Sequence, residues 1–155
     1  MQTLMTFEIN DKVKQLNAML SAIDGVYQEL LKAKGVSDSE YIVMFAIKEL
    51  GEGCSQKDIA DNSNVSKKTI NSTIKKLQKE GYIELKLGKY PNMQIYLTKL
   101  GEEYMEERIM PILEVENKIV DGMSEDEFEF LTTCFERYIG KFKKHVVEFI
   151  ESSKY

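Results

Sequence analysis

The stretch Ser55-Gln56-Lys57-Asp58-Ile59-Ala60-Asp61-Asn62-Ser63-Asn64-Val65-Ser66-Lys67-Lys68-Thr69-Ile70 carries two helix starts divided by a turn. Ser55 followed by Asp58 is a capping signature: a hydroxyl and a carboxylate at this spacing satisfy free amides at a helix start. It opens a short helix through Asp61, and Asn62-Ser63-Asn64 is a cluster of turn formers. Ser66 caps the next helix, which is expected to run to about Glu80. Ile70, Ile74 and Leu77 occupy one narrow face of that second helix. Gly81 ends it, where the chain needs a left-handed conformation. Small Ala60 lets the two helices approach closely.

Two alternating segments follow. Ile83, Leu85 and Leu87 alternate with Glu84 and Lys86, and Met93, Ile95 and Leu97 with Gln94 and Tyr96. The turn formers Gly88-Lys89-Tyr90-Pro91-Asn92 stand between them, so the pair reads as a β-hairpin. Short helix, turn, capped helix and hairpin, in that order, are the elements of a winged helix-turn-helix.

Long helices flank this core. Ile9, Val13, Leu16, Leu20, Ile23, Tyr27 and Leu30 step alternately by four and three, a heptad seam. Gly35 stops that helix, and Ser37-Asp38-Ser39-Glu40 is a capping box for a buried helix over Ile42 to Leu50. After the hairpin Thr98 caps another helix, which Pro111 should kink or break. Ser124 to Glu127 opens the last helix, whose Phe128, Leu131, Phe135, Tyr138, Phe142, Val146 and Phe149 again recur near heptad spacing. The expected fold is mainly α with a small β-hairpin wing. Residues 37–98 form the winged helix-turn-helix, and residues 1–36 and 99–155 form a helical dimerisation region. The residues expected at the dimer contact are Ile9, Val13, Leu16 and Leu20 in the first helix, with Phe128, Leu131, Phe135, Tyr138, Phe142 and Phe149 in the last. One small winged core cannot cover both seams.

The 155 residues carry a net charge of -5, which excludes a uniformly basic nucleic-acid binder. The charge is uneven, however. From Ser55 to Lys99 there are nine lysines against four acids, a local charge of +5. A basic module on an acidic scaffold suits a DNA reader. On a helical wheel Lys68, Ser72, Lys75 and Lys79 lie opposite the apolar face of the second helix, flanked by Lys67, Thr69, Asn71 and Lys76. The amino-terminal half of a recognition helix enters the major groove. Asn71 has the amide to pair bidentately with adenine, and Thr69 and Ser72 have hydroxyls for base edges or phosphate. The lysines serve phosphate, which supplies affinity without sequence information. The expected DNA-binding set is Ser55, Ser66, Lys67, Lys68, Thr69, Asn71, Ser72, Lys75 and Lys76, with Lys89 at the hairpin tip.

At these residues the chain resembles the MarR family of bacterial transcriptional regulators. Ser55 to Ala60, Val65 to Ile70, Lys76-Leu77-Gln78-Lys79-Glu80-Gly81-Tyr82-Ile83 and Tyr96-Leu97-Thr98-Lys99-Leu100-Gly101 carry the resemblance, which spans about Phe7 to Ile150. It implies a homodimer built from the terminal helices, with each protomer presenting one winged helix to a near-palindromic duplex. It also implies a regulator, expected to be a repressor, that a small aromatic or lipophilic effector releases. Many members carry Asp and Arg in the wing, and an Arg about where Ser72 stands. Here Gly88 to Met93 contains neither Asp nor Arg, and the whole chain has only Arg108 and Arg137. The alternative is therefore a winged-helix dimer that contacts protein, with weak or no specific DNA binding.

Other classes find little support. Hydrophobic residues make up 43% and charged residues 30%, a composition that buries a core rather than one that stays disordered. No apolar run approaches the ~18 residues of a membrane span, and Met1 to Asn10 does not read as a signal peptide. Cys54 and Cys134 give no disulfide framework, and a cytoplasmic setting is expected. Both cysteines are expected to be buried and inert. His145 alone cannot build a metal site with them, and no cofactor is expected. Without a carboxylate pair, nucleophile elbow, phosphate loop or histidine constellation, the chain is not expected to be an enzyme.

Overall fold

In the computed structural model, which describes residues 8–88 and 93–153, side-chain caps set most helix starts. Helix α1 spans Asp11–Lys34, with the Asn10 side chain accepting from the Lys12 amide, and ends at left-handed Gly35. Helix α2 (Asp38–Leu50) begins on the reciprocal Ser37–Glu40 cap. Helix α3 (Gln56–Ser63) begins on the reciprocal Ser55–Asp58 cap. Helix α4 (Lys67–Lys79) begins on Ser66, whose hydroxyl accepts from the Thr69 amide. Strands β1 (Ile83–Leu87) and β2 (Met93–Leu97) pair antiparallel, Ile83 opposite Leu97 and Leu85 opposite Ile95. After Thr98 come α5 (Lys99–Tyr104), a π-helical turn (Met105–Ile109), α6 (Met110–Asp121) and α7 (Glu125–Ser152).

The fold is the winged helix-turn-helix that the order of elements implied. Its core gathers Val43, Met44 and Ile47 of α2, Ile59 of α3, and Ile70, Ile74 and Leu77 of α4 under Ile83 and Ile95 of the hairpin. These side chains are essentially free of solvent, and burial of that many large aliphatic groups is what fixes the short helices.

Three details differ from the sequence reading. Helix α3 continues through Asn62 and Ser63, and Asn64 alone makes the turn at φ 54°; asparagine is one of the few residues other than glycine that adopts this conformation routinely. The break near Pro111 is a widened turn ahead of the proline. The Met110 amide bonds to the Met105 carbonyl, five residues back, and the helix resumes at once. A widened turn of this kind is one way a helix absorbs an interruption to its ladder. Cys54 is buried as expected, but Cys134 is exposed, because α7 buries none of its residues. His145 is exposed on the same helix.

The chain divides into two compact units, Met1–Ile112 and Leu113–Tyr155. Ile9, ahead of α1, and the seam residues Val13 and Ile23 along it are exposed, and along α7 so are Phe128, Leu131, Phe135, Tyr138, Phe142 and Phe149. Leu16 and Leu20 are half-buried. Among the described residues, no helix is long and apolar enough to cross a membrane.

Candidate nucleic-acid interface

Helix α4 stands on the core by one face. Ile70, Thr73, Ile74 and Leu77 are buried, whereas Lys67, Lys68, Thr69, Ser72, Lys75 and Lys79 are exposed and Asn71 is half-buried. The exposed face is the one drawn from the helical wheel. Among the described residues, no carboxylate pairs with Lys67, Lys68, Lys75 or Lys79. The hydroxyls of Ser66 and Thr69 lie 2.8 Å apart at the cap. Those of Ser72 and Thr73 both donate to the Thr69 carbonyl, at 2.8 and 3.0 Å. The exposed Ser72 hydroxyl, which only donates in this arrangement, keeps acceptor capacity for an incoming donor.

The first turn of α4 is electrostatically inverted. Helix amino termini carry partial positive charge and favour acids. Helices α2, α3 and α7 obey this with Asp38 and Glu40, Asp58, and Glu125 to Glu127. Helix α4 has no acid in its first turn and begins Lys67-Lys68. Two ammonium groups beside a helix amino terminus repel it and each other.

Two residues of the expected set lie elsewhere. Ser55 is buried, with its hydroxyl donating to Asp58 at 2.8 Å. Its neighbourhood is closed because residues 53–55 run along the outer edge of β2. The Gly53 amide donates to the Ile95 carbonyl at 2.8 Å, the Ile95 amide to the Cys54 carbonyl at 2.9 Å, and Ser55 bridges Gln94. Lys76 is turned off the exposed face onto Glu40 Oε1, 2.9 Å away. Lys89 falls outside the described residues.

In the wing, Lys86 pairs with Glu84 at 2.6 Å and lies 4.7 Å from the Tyr96 ring centre; the Glu84 carboxylate raises its pKa. Arg108, in the π-helical turn, donates to the Lys34 and Gly35 carbonyls at 3.1 and 3.2 Å and closes the carboxyl end of α1. It is therefore remote in role from the wing. A cavity of about 490 Å³ is lined by Ile47, Lys48, Glu52, Leu97, Glu102, Met105 and Glu106. Met105 reaches it, and Tyr27 lines a second cavity with Leu31 and Tyr41. Among the described residues, no group of three or more His, Cys, Asp or Glu side chains is placed to hold a metal.

A capped basic helix held by its apolar face beside a two-stranded wing defines a winged helix-turn-helix protein. Residues 34–88 match the sequence model of the MarR family. A Bacillus subtilis (strain 168) protein described as an uncharacterized HTH-type transcriptional regulator, YwoH, is 24% identical over 136 residues, 87% of this chain and 98% of that protein. The structure is similar to that of NMB1585, a MarR family regulator from Neisseria meningitidis, with a TM-score of 0.77 and 19% identity, covering 90% of this chain and 99% of that one. It is also similar to Bordetella bronchiseptica BpsR, whose DNA binding is regulated by 6-hydroxynicotinic acid, with a TM-score of 0.64 and 14% identity, covering 83% and 98% of the two chains.

Proposed function

We propose that this chain regulates transcription by laying the exposed face of α4 in the major groove of duplex DNA. The observation that carries the reading is the acid-free first turn of α4, with Lys67 and Lys68 at a helix amino terminus and Lys75 and Lys79 unpaired along the same face. Phosphates relieve both the mutual repulsion of the lysines and the unsatisfied amides. Ser66, Thr69, Asn71 and Ser72 lie among these lysines and read or position the bases. Ser55 contributes by capping α3, not by contact.

The exposed apolar stripes of α1 and α7 support a homodimer. Division by role then gives residues 37–98 to DNA, and residues 1–36 and 99–155 to assembly. Two recognition helices one turn apart, ~34–36 Å, call for a near-palindromic site. Repression in the cytoplasm, with release by a small aromatic or lipophilic effector, completes the reading. BpsR is a similarly folded protein whose DNA binding a small molecule regulates, and the cavity beside Met105 has room for one.

Selection of bound sequences from a random duplex pool by the purified chain, at two salt concentrations, tests this. An enriched palindrome with half-sites one turn apart is expected. The second reading, a protein-interaction module, draws on Arg108: it is spent on α1, and no arginine lies on α4 or among the described wing residues. Weak binding without enrichment, quenched by salt, would favour it.

A further inference from the structure

We propose that Glu40 is a positioning residue for α4: its buried carboxylate holds Lys76, and with it the carboxyl-terminal half of the recognition helix, on the start of α2. The proposal rests on the DNA-binding reading and assigns Lys76 to the alignment of the helix rather than to phosphate.

Glu40 lies in the first turn of α2 and is 6% exposed. A carboxylate buried so deeply needs partners on both oxygens. Oε2 accepts from the Ser37 amide at 2.9 Å and from the Ser37 hydroxyl. Oε1 is left for Lys76 Nζ at 2.9 Å. The cap alone therefore does not satisfy Glu40; the lysine of another helix completes it. Tyr82, which follows α4, packs its ring 4.4 Å from that of buried Tyr104.

The consequence for α4 is specific. Its first half is held by Ile70, Thr73 and Ile74, but beyond Ile74 only Leu77 is buried. The Glu40–Lys76 pair is the second point of attachment for that half. It cancels the charge of Lys76 and fixes the angle at which the remaining lysines meet the groove.

The competing role, a phosphate contact by Lys76, predicts effects of opposite sign. Duplex binding by the full chain is titrated against salt, on a sequence recovered by the selection above. The variants are Glu40→Gln, Lys76→Met, Lys76→Arg and Ser37→Ala. Amide hydrogen exchange is followed on the same chains without DNA. Positioning predicts that Glu40→Gln and Lys76→Met each weaken binding about tenfold with the salt slope unchanged. Amides of Leu77 to Lys79 should exchange about tenfold faster in both. Lys76→Arg keeps the pair and should bind like the parent. Ser37→Ala removes the cap and leaves the pair, so binding and α4 exchange should hold. Tighter binding by Glu40→Gln, together with a salt slope smaller by about one in Lys76→Met, would overturn the proposal. If the parent chain selects no duplex, the DNA-binding reading fails. Exchange at α4 then decides alone: faster exchange in the two variants supports the positioning role, and unchanged exchange overturns it. Lys76 is half exposed, so Lys76→Met keeps the test available should Glu40→Gln fold poorly.

Discussion

Gly101 passes so close to Tyr82 that a methyl group at position 101 would stand 1.8 Å from the Tyr82 carbonyl oxygen. That carbonyl also accepts from the Thr98 amide at 3.1 Å, and the Thr98 hydroxyl accepts from the Gly101 amide at 3.0 Å. The start of α5 is thus clamped onto the residue that enters the wing. Gly101→Ala should cost about 2–4 kcal/mol, because the backbone of one element or the other must move. For a chain of this size that is a fall of roughly 4–16 °C in Tm, at about 2–4 °C per kcal/mol. A thermal melt that matched the parent would contradict the close approach.

Exposed, unpaired lysines should appear in the salt dependence of DNA binding. Lys68→Ala and Lys75→Ala should each reduce the slope of log K against log salt by about one. Ser55→Ala should leave the slope alone and lower stability by about 1 kcal/mol through the lost cap. Equal slopes for all three, measured by fluorescence anisotropy, would remove α4 from the interface.

The stripe on α7 should govern assembly. Phe135→Glu places a carboxylate within it, and burial of an unpaired charge between subunits is prohibitive. Sedimentation equilibrium should give a dimer for the parent and a monomer for the variant. A parent that sediments as a monomer at micromolar concentration would discard the dimer.

Acid should loosen the caps. Burial raises the pKa of Glu40, but hydrogen bonds from the Ser37 hydroxyl, Lys76 and the Ser37 amide outweigh it, and the net shift is downward. The Ser55 amide and hydroxyl lower Asp58, and those of Ser124 lower Glu127. Lowered folded values mean that these carboxylates stabilise the fold fully above their ordinary range. That contribution is lost as pH falls through the depressed values. Melts from pH 7 downward should hold to about pH 5 and then decline. Asp58→Asn should melt lower at neutral pH and show a shallower acid limb. Tyr104 behaves differently: burial, with the Glu40 charge, pushes its phenol up to about 12, so it stays neutral across this range.

Much of the molecule was legible because its signals are local. Ser37 with Glu40, Ser55 with Asp58 and Ser124 with Glu127 state helix starts within four residues. Gly81 and the alternation on either side of the wing are equally short-ranged. The polar face of α4 followed from a period of 3.6 once its apolar residues were known. Relations across the chain were not legible. Nothing near Ser55 announces that residues 53–55 line β2, which buries its hydroxyl, and nothing near Lys76 points to Glu40. Pro111 announced an interruption but not its form. Cys134, which flanks the seam of the last helix, is expected to be buried, yet it is exposed, because a heptad seam describes a helix with a partner.

Helix α7 spans Glu125–Ser152 and buries no residue within its own chain. On the proposed homodimer reading, its stabilisation beyond capping and propensity comes with association. Dilution becomes a perturbation in its own right, and a melting temperature has meaning only beside the protein concentration at which it was taken. For a dimer of that kind the same dependence would act in a cell, where the number of copies made would set how many are fully folded.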